Sequence, residues 1–429
     1  MFKIGKYSTI YSITVGFLLS ITASLFIYLA QFNASSPFIE TISALIFFWY
    51  LLHSDSKVWF WSGFFIAFFW FWWIMMSFQH YHITWAIPIG LLSMSFVYGA
   101  IFWFISYLSE LSIKKFFKES KNHLSSITHH SPFLKSLGLL CLSYLHPLSF
   151  DWFKPELLFV HSYIGIQKWQ FAIVLFSISL AQYKKSTIYL LLILLAYSPS
   201  STRVQYKLSN LPVALASTMT TVEQKWDPKL VSGHIVEVFR IIDDAISQKK
   251  KIIVLPESIF PFFLNKQPRI LHSLEEKSHK IAIVIGGLYL DGNIHHNSTY
   301  IIQNGKYTIA NKTVLVPFGE SNPLPHWAGN LVNKIFFDGA VDYVSSSTPT
   351  DFMIAGKKYR NAICYEACSE PLYDKHPKRM IVISNNGWFY PSIEPTLQRL
   401  LLEYYSRKYG TTIYHSANMS PSYVIMTKK

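Results

Sequence analysis

Seven apolar runs in the first 200 residues constrain this chain more than any other feature. They fall at roughly 8–30, 38–52, 58–78, 85–109, 133–149, 169–182 and 186–199. Crossing the hydrocarbon core of a bilayer, about 30 Å thick, takes roughly 20 helical residues. The first, third and fourth runs meet that length outright. The second, sixth and seventh need flanking residues, and the fifth contains His146-Pro147. A secretory signal would account for Lys3, Lys6 and the first run, but further runs follow and no small-residue cleavage site is evident. The expectation is a seven-span helical membrane domain over 1–200 and a separate water-exposed domain over 201–429.

Charge agrees with that division. Residues 1–200 hold twelve Lys, no Arg and six acids, out of 38 basic and 24 acidic residues in the chain. The second part therefore carries 38 − 12 = 26 basic and 24 − 6 = 18 acidic groups, an ordinary soluble balance with a surplus of +8. Without a basic stripe or stacking aromatics, that surplus does not point to nucleic acid; anionic lipid headgroups are the better partner. With the N-terminus inside, inner segments hold ten lysines (Lys3, Lys6, Lys57, Lys114, Lys115, Lys118, Lys121, Lys135, Lys184, Lys185) and outer segments two, Lys154 and Lys168. This follows the positive-inside rule, and an odd span count carries 201–429 to the far side. Trp59, Trp61, Trp70, Trp72, Trp73, Trp85 and Trp169 near run ends read as interface anchors.

Three cysteines, Cys141, Cys364 and Cys368, make no disulfide framework, and no Cys/His spacing matches a zinc site. The histidine pairs His80/His82, His129-His130 and His295-His296 read as polar loop residues, so neither metal nor cofactor is expected. Few ionisable groups lie within the runs, Glu40 and His146 chiefly, whereas a transport path would want more.

From about 211 the pattern changes to short β-rich runs and polar helices. Strands are expected at 211–217, 251–255, 281–290, 298–303, 307–311, 351–355, 359–364 and 380–384, and helices at 231–248, 268–279 and 394–409. Such alternation predicts an α/β domain with helix-covered sheets. Three segments carry a reactive group at a strand tip: Leu255-Pro256-Glu257-Ser258, Asn311-Lys312 through Val316-Pro317-Phe318-Gly319-Glu320, and Cys364-Tyr365-Glu366. Loops at strand ends are where scaffolds hold catalytic groups. A cysteine is a strong nucleophile but is only a few per cent thiolate at neutral pH. Glu257 can be its base if desolvation raises its pKa, and Lys312 can stabilise the oxyanion of acyl attack.

The ordered Glu, Lys and Cys motifs resemble the nitrilase superfamily, and within it the membrane-fused apolipoprotein N-acyltransferase branch. Lys225-Trp226-Asp227-Pro228, His296-Asn297-Ser298 and Ile383-Ser384-Asn385-Asn386-Gly387-Trp388-Phe389 add to that likeness. The resemblance implies a four-layer αββα domain on the periplasmic side of a diderm inner membrane. It implies a phospholipid donor, a thioester on Cys364 and a diacylglyceryl-cysteine lipoprotein as acceptor, in a monomeric chain. Glu257 would be base, Lys312 oxyanion stabiliser, and Glu320 a carboxylate positioning Lys312; Tyr365, Glu366, Trp226 and Asn297 would shape the pocket. The chain departs from the family in ending at Lys429 without a further apolar run, in reading Ala216–Thr221 where a Gln-x-Asn stretch is usual, and in its 150–168 loop.

Blander readings stand beside these. Cys368 reads as packing, Lys312 as a possible surface lysine, Glu366 as a salt-bridge partner for Arg360 or Lys312, and Trp226 as core. The apolar loops at Ile259–Phe263, Trp327, Ile335–Phe337 and Trp388–Tyr390 are either core or an acyl-chain mouth. A second function would be a membrane-tethered amidase acting on a soluble carbon–nitrogen bond, and a third a non-enzymatic transporter or sensor.

Overall fold

The computed structural model describes residues 9–116, 123–200, 202–206, 209, 211–317, 319–321 and 343–427. Trp327, Ile335, Phe336 and Phe337, read as either core or an acyl-chain mouth, lie outside these residues. The chain forms two units: residues 1–146 with 153–200, and residues 147–152 with 201–429. Six residues from within the apolar half, Pro147–Trp152, thus belong to the second unit.

The first unit is helical: α1 Thr9–Gln31, α2 Pro37–His53, α3 Ser56–Phe71, α4 Ile87–Phe116, α5 His123–Leu142 and α6 Lys168–Lys184. Among the described residues, three helical stretches are long and apolar enough to cross a membrane: Thr9–Gln31, Ser56–Tyr81 and Thr84–Ser112. The third apolar run changes from α to 3-10 geometry at Trp72 and continues so to Tyr81. The seventh is a 3-10 helix, Thr187–Ala196.

Helix packing here uses small residues, as it does between apolar helices that gain little from mutual burial. A Cβ on Gly63 of α3 would sit 2.6 Å from the backbone oxygen of Tyr98 in α4. Trp59 and Trp70, read as interface anchors, are instead fully buried. Their indole N–H groups donate to Leu51 O at 2.7 Å and Ser24 Oγ at 3.2 Å, which makes the interior tolerable to them. Trp85 and Trp169 are exposed.

The described residues of the second unit form two sheets. One runs β2 (Val213–Leu215), β4 (Ile252–Val254), β5 (Ala282–Asp291), β6 (Ile294–Gln303) and β7 (Lys306–Asn311), in that order. The other runs β1 (Thr202–Gln205), β12 (Tyr423–Thr427), β11 (Thr412–Asn418), β10 (Arg379–Asn385), β9 (Lys357–Ile363) and β8 (Asp351–Ile354), with β3 (Ser217–Thr218) pairing β11.

Period-2 alternation explains the layers. Ile252, Val254, Val284, Ile301 and Ala310 of the first sheet pack against Ile354, Ile363, Ile381 and Ile383 of the second. The alternate residues, Ile253, Ile283, Ile285, Tyr300 and Ile302, turn outward onto Val238, Ile242 and Ala245 of α8 (Val231–Ser247) and Leu271 and Leu274 of α9 (Pro268–Lys277). On the outer face of the second sheet lies α10 (Glu394–Tyr409), burying Leu397, Leu400 and Leu401 against β11 and β12. The result is an αββα sandwich.

Three strands were not anticipated: β1, β11 and β12. β11, Thr-Ile-Tyr-His-Ser-Ala-Asn, was not among the expected strands, and its His415 and Ser416 are buried. His415 Nε2 pairs with Ser384 Oγ at 2.9 Å, and Ser416 Oγ donates to Ala216 O at 2.7 Å. These bonds offset part of the cost of burying polar groups, although His415 Nδ1 has no partner among the described residues. The far edge of the second sheet is completed by β12 pairing antiparallel with β1, the segment just after the helical unit.

Candidate active site

Each expected catalytic residue stands just beyond a strand. Glu257 lies three residues beyond the end of β4, and the turn that carries it lies hard against β5. A Cβ on Gly286 would come within 2.5 Å of Glu257 Cα, so only glycine permits that approach. Ser258, next in the chain, has φ +45. Lys312 directly follows β7, its backbone N–H donating to Asn297 O at 2.9 Å. Cys364 directly follows β9 and has φ +53, a left-handed conformation costing a non-glycine residue about 1–2 kcal/mol. The turn takes the thiol out of the strand's alternation.

The polar groups converge. Lys312 Nζ lies 2.8 Å from Glu320 Oε2 and 3.7 Å from Glu257 Oε1. The Asn297 side-chain amide donates to Glu257 Oε1 and to Glu320 Oε1, both at 2.7 Å. The other Glu257 oxygen accepts the backbone N–H of Asn385, at the end of β10, at 2.9 Å. Glu320 also accepts the Val316 N–H at 2.9 Å. Glu257, Lys312 and Asn297 are all buried, so the reading of Lys312 as a surface lysine does not hold.

Electrostatics give these groups different states. Burial alone would lower the Lys312 pKa, but Glu320, Glu257 and Cys364 outweigh it and hold the ammonium well above its ordinary value. Lys312 therefore stays charged and suits a developing oxyanion, not proton transfer. Burial, then the charge of Glu257, pushes the Cys364 thiol well up, against the lowering effect of Lys312. The resting group is a thiol, and it needs a base.

Glu366 has a structural role that the sequence reading did not assign. It pairs with neither expected cation by hydrogen bond: Arg360 binds Asp351 at 2.5 and 3.1 Å. Its carboxyl accepts the N–H groups of Thr313 at 2.6 Å, Val314 at 3.1 Å and Ile363 at 2.7 Å. It thereby ties the segment after Lys312 to the residue before Cys364. Burial raises its pKa to about 7, against the lowering by Lys312 and the three N–H donors.

Tyr365 is held by the transferred loop. Its ring stacks on Phe150 and Trp152, with centroids 5.8 and 6.0 Å apart. Its hydroxyl donates to Ser149 O at 3.2 Å and accepts the Asp151 N–H at 2.8 Å, while Ser369 Oγ donates to Asp151 Oδ2. The 150–168 loop had no assigned role in the sequence, and no local signal pointed to it.

Trp226, read as possible core, is 51% exposed. It ends α7 (Val222–Trp226), and Lys225 Nζ lies 5.9 Å from its ring centroid. Lys225 is buried, which lowers its pKa to about 8 against the raising charge of Glu257. Among the apolar loops, Phe260 is core beneath α8 and α9, whereas Trp388 and Phe389 are half-buried and Tyr390 exposed. Cys368 is fully buried. Two residues that sequence reasoning missed are Gln398, whose Nε2 donates to Cys364 Sγ at 3.6 Å, and Glu394, one helical turn before it. Among the described residues no group of His, Cys, Asp and Glu could hold a metal ion.

Residues 10–200 match the family description "Apolipoprotein N-acyltransferase integral membrane domain". An apolipoprotein N-acyltransferase of Wolinella succinogenes is 39% identical over 412 residues, covering 95% of this chain and 94% of its own. The chain belongs to the apolipoprotein N-acyltransferase family. The Campylobacter jejuni apolipoprotein N-acyltransferase is 31% identical over 438 residues, covering 100% of this chain and 92% of its own. The crystal structure of Saccharomyces cerevisiae Nit3, a nitrilase-superfamily member, is similar with a TM-score of 0.36 and 16% identity, over 51% of this chain and 76% of that one. For an apolipoprotein N-acyltransferase the helical unit is an integral membrane domain, and the αββα unit holds the converging Glu, Lys and Cys.

Proposed function

We propose that this apolipoprotein N-acyltransferase moves an acyl chain from a phospholipid to the α-amine of a diacylglyceryl-cysteine lipoprotein, through a thioester on Cys364. The carrying observation is the division of labour around Lys312: Glu320 takes the close ion pair at 2.8 Å, and Glu257 stands at 3.7 Å. Glu257, less closely held by the ammonium, is in this reading the carboxylate that exchanges protons with the thiol. It takes the Cys364 proton as sulfur attacks the ester carbonyl, and Lys312 meets the negative charge that develops on oxygen. The C–O bond breaks, and the same proton goes to the departing lysophospholipid alkoxide. In the second half, the amine attacks the thioester, Glu257 takes an N–H proton, and that proton returns to the sulfur as the C–S bond breaks.

Glu320 and Asn297 hold Lys312 and Glu257 in register. Trp226 and Tyr365 shape the entrance, and Glu366 joins the two reacting loops. The protein is a multispan inner-membrane monomer with its catalytic unit in the periplasm, supported by ten inner lysines against two outer ones. A tethered amidase would use the same three groups with water as acceptor, but it has no need of so large a helical unit. Purified full-length chain incubated with acyl-labelled phospholipid tests the proposal. The expected result is a thioester on Cys364 that is discharged by a diacylated lipopeptide; discharge by water alone would select the amidase.

A further inference from the structure

Acyl transfer to an amine leaves a proton unaccounted for by one base. The acceptor enters as an ammonium and ends as an amide, so nitrogen loses two protons. Glu257 moves one of them to sulfur. The other needs a second acceptor.

The first turn of α10 holds a carboxyl suited to it. Glu394 and Gln398 are one helical turn apart and so share a face, and Gln398 Nε2 reaches Cys364 Sγ at 3.6 Å. Glu394 is 1% exposed and Gln398 0%. Glu394 Oε2 and Gln398 Oε1 are buried and have no hydrogen-bond partner among the described residues. Two buried polar oxygens left unpaired beside a nucleophile are costly unless a ligand pairs with them. An ammonium has three donors, whereas the ester group that the thiol attacks has none. We propose that Glu394 and Gln398 form the subsite for the acceptor's ammonium, with Glu394 as the base that frees the amine.

The step balances. At rest Glu394 is neutral, because burial and the neighbouring charge of Glu257 raise its pKa to about 8. An arriving ammonium expels that proton to solvent and pairs with the carboxylate. Glu394 then takes one proton from nitrogen, returning to its resting acid and leaving a free amine for the thioester. One proton is released per turnover, as the overall reaction requires.

This inference rests on the reading of Cys364 as acyl carrier, and the test separates the two. Full-length wild type and E394Q are loaded with acyl-labelled phospholipid, and discharge is timed with three acceptors: a diacylated lipopeptide, ethylamine, and a fluorinated ethylamine that is already unprotonated at pH 7. Expected are equal thioester formation, discharge by lipopeptide and ethylamine slowed on the order of 10²-fold in E394Q, and near-equal discharge by the fluorinated amine. Uniform slowing with all three acceptors, or none with the lipopeptide, overturns the subsite. Absence of a Cys364 thioester in wild type overturns the carrier reading beneath it. If E394Q does not load, E394D decides: a raised KM for lipopeptide alone supports the subsite, and an equal loss with every acceptor removes it.

Discussion

Lys312 makes its close ion pair with Glu320, at 2.8 Å, and stands 3.7 Å from Glu257. The two carboxylates together hold the Lys312 ammonium well above its ordinary pKa, against the lowering effect of burial. The Asn297 amide spans both carboxylates at 2.7 Å, so the geometry depends on a neutral donor between two acids.

Cys364→Ala should abolish both acyl-enzyme and product, because no other group can carry the chain. Cys364→Ser should trap a slow oxyester at most, an alcohol being far weaker than a thiolate. Cys368→Ala should be nearly silent in transfer. Mass spectrometry after exposure to phospholipid without acceptor reads all three; an adduct on Cys368 would overturn the nucleophile.

Lys312→Ala should cost on the order of 10²–10³-fold in turnover, the range for a lost oxyanion donor. Asn297→Asp should also impair transfer, since a third carboxylate would replace the donor that Glu257 and Glu320 share. Steady-state rates with saturating phospholipid measure both, and unchanged turnover in either variant would remove that residue from the machinery.

Thiol reactivity has a sign that catalysis does not share. Glu257 raises the Cys364 pKa and Lys312 lowers it. Alkylation by iodoacetamide at pH 7 should therefore quicken in Glu257→Gln and slow in Lys312→Ala, while transfer falls in both. Alkylation falling in both variants would mean that access, not charge, controls the thiol.

Stability should decline with pH through a defined window. Glu394 titrates at about 8 in the folded chain against 4.5 ordinarily. Between those values the folded chain keeps a proton that the unfolded chain has lost. Its contribution is full below 4.5 and is lost as pH rises through 8. Thermal midpoints of purified protein should fall from pH 5 to 8, and E394Q should flatten that slope; parallel slopes would place the carboxyl in solvent.

Topology is testable apart from chemistry. An alkaline phosphatase fusion after residue 205 should be active, and one within 112–130 inactive, as the lysine asymmetry requires. The reverse pattern would remove the periplasmic assignment and the lipoprotein acceptor with it.

Much of this protein is local in origin and so was legible in one dimension. Long apolar runs declare a membrane domain because lipid tolerates little else. Apolar strands stopped by Pro256 or by the Cys364 elbow mark strand tips whatever surrounds them. Glu257, Lys312 and Cys364 were singled out that way, and Glu320 by resemblance. What stayed hidden depends on partners far away in sequence. β11 is a strand with partners distant in sequence: Ser384 pairs with its buried histidine through Nε2, and Ala216 accepts from its buried serine. Pro147–Trp152 joins the catalytic unit because Tyr365, more than 200 positions on, offers a ring and a hydroxyl to it. Glu394 and Gln398 are ordinary helix residues until folding strips water from them beside Cys364. Hydropathy and turn chemistry are properties of neighbours in the chain; desolvation and hydrogen-bond pairing are properties of neighbours in space, and only the tertiary structure supplies those.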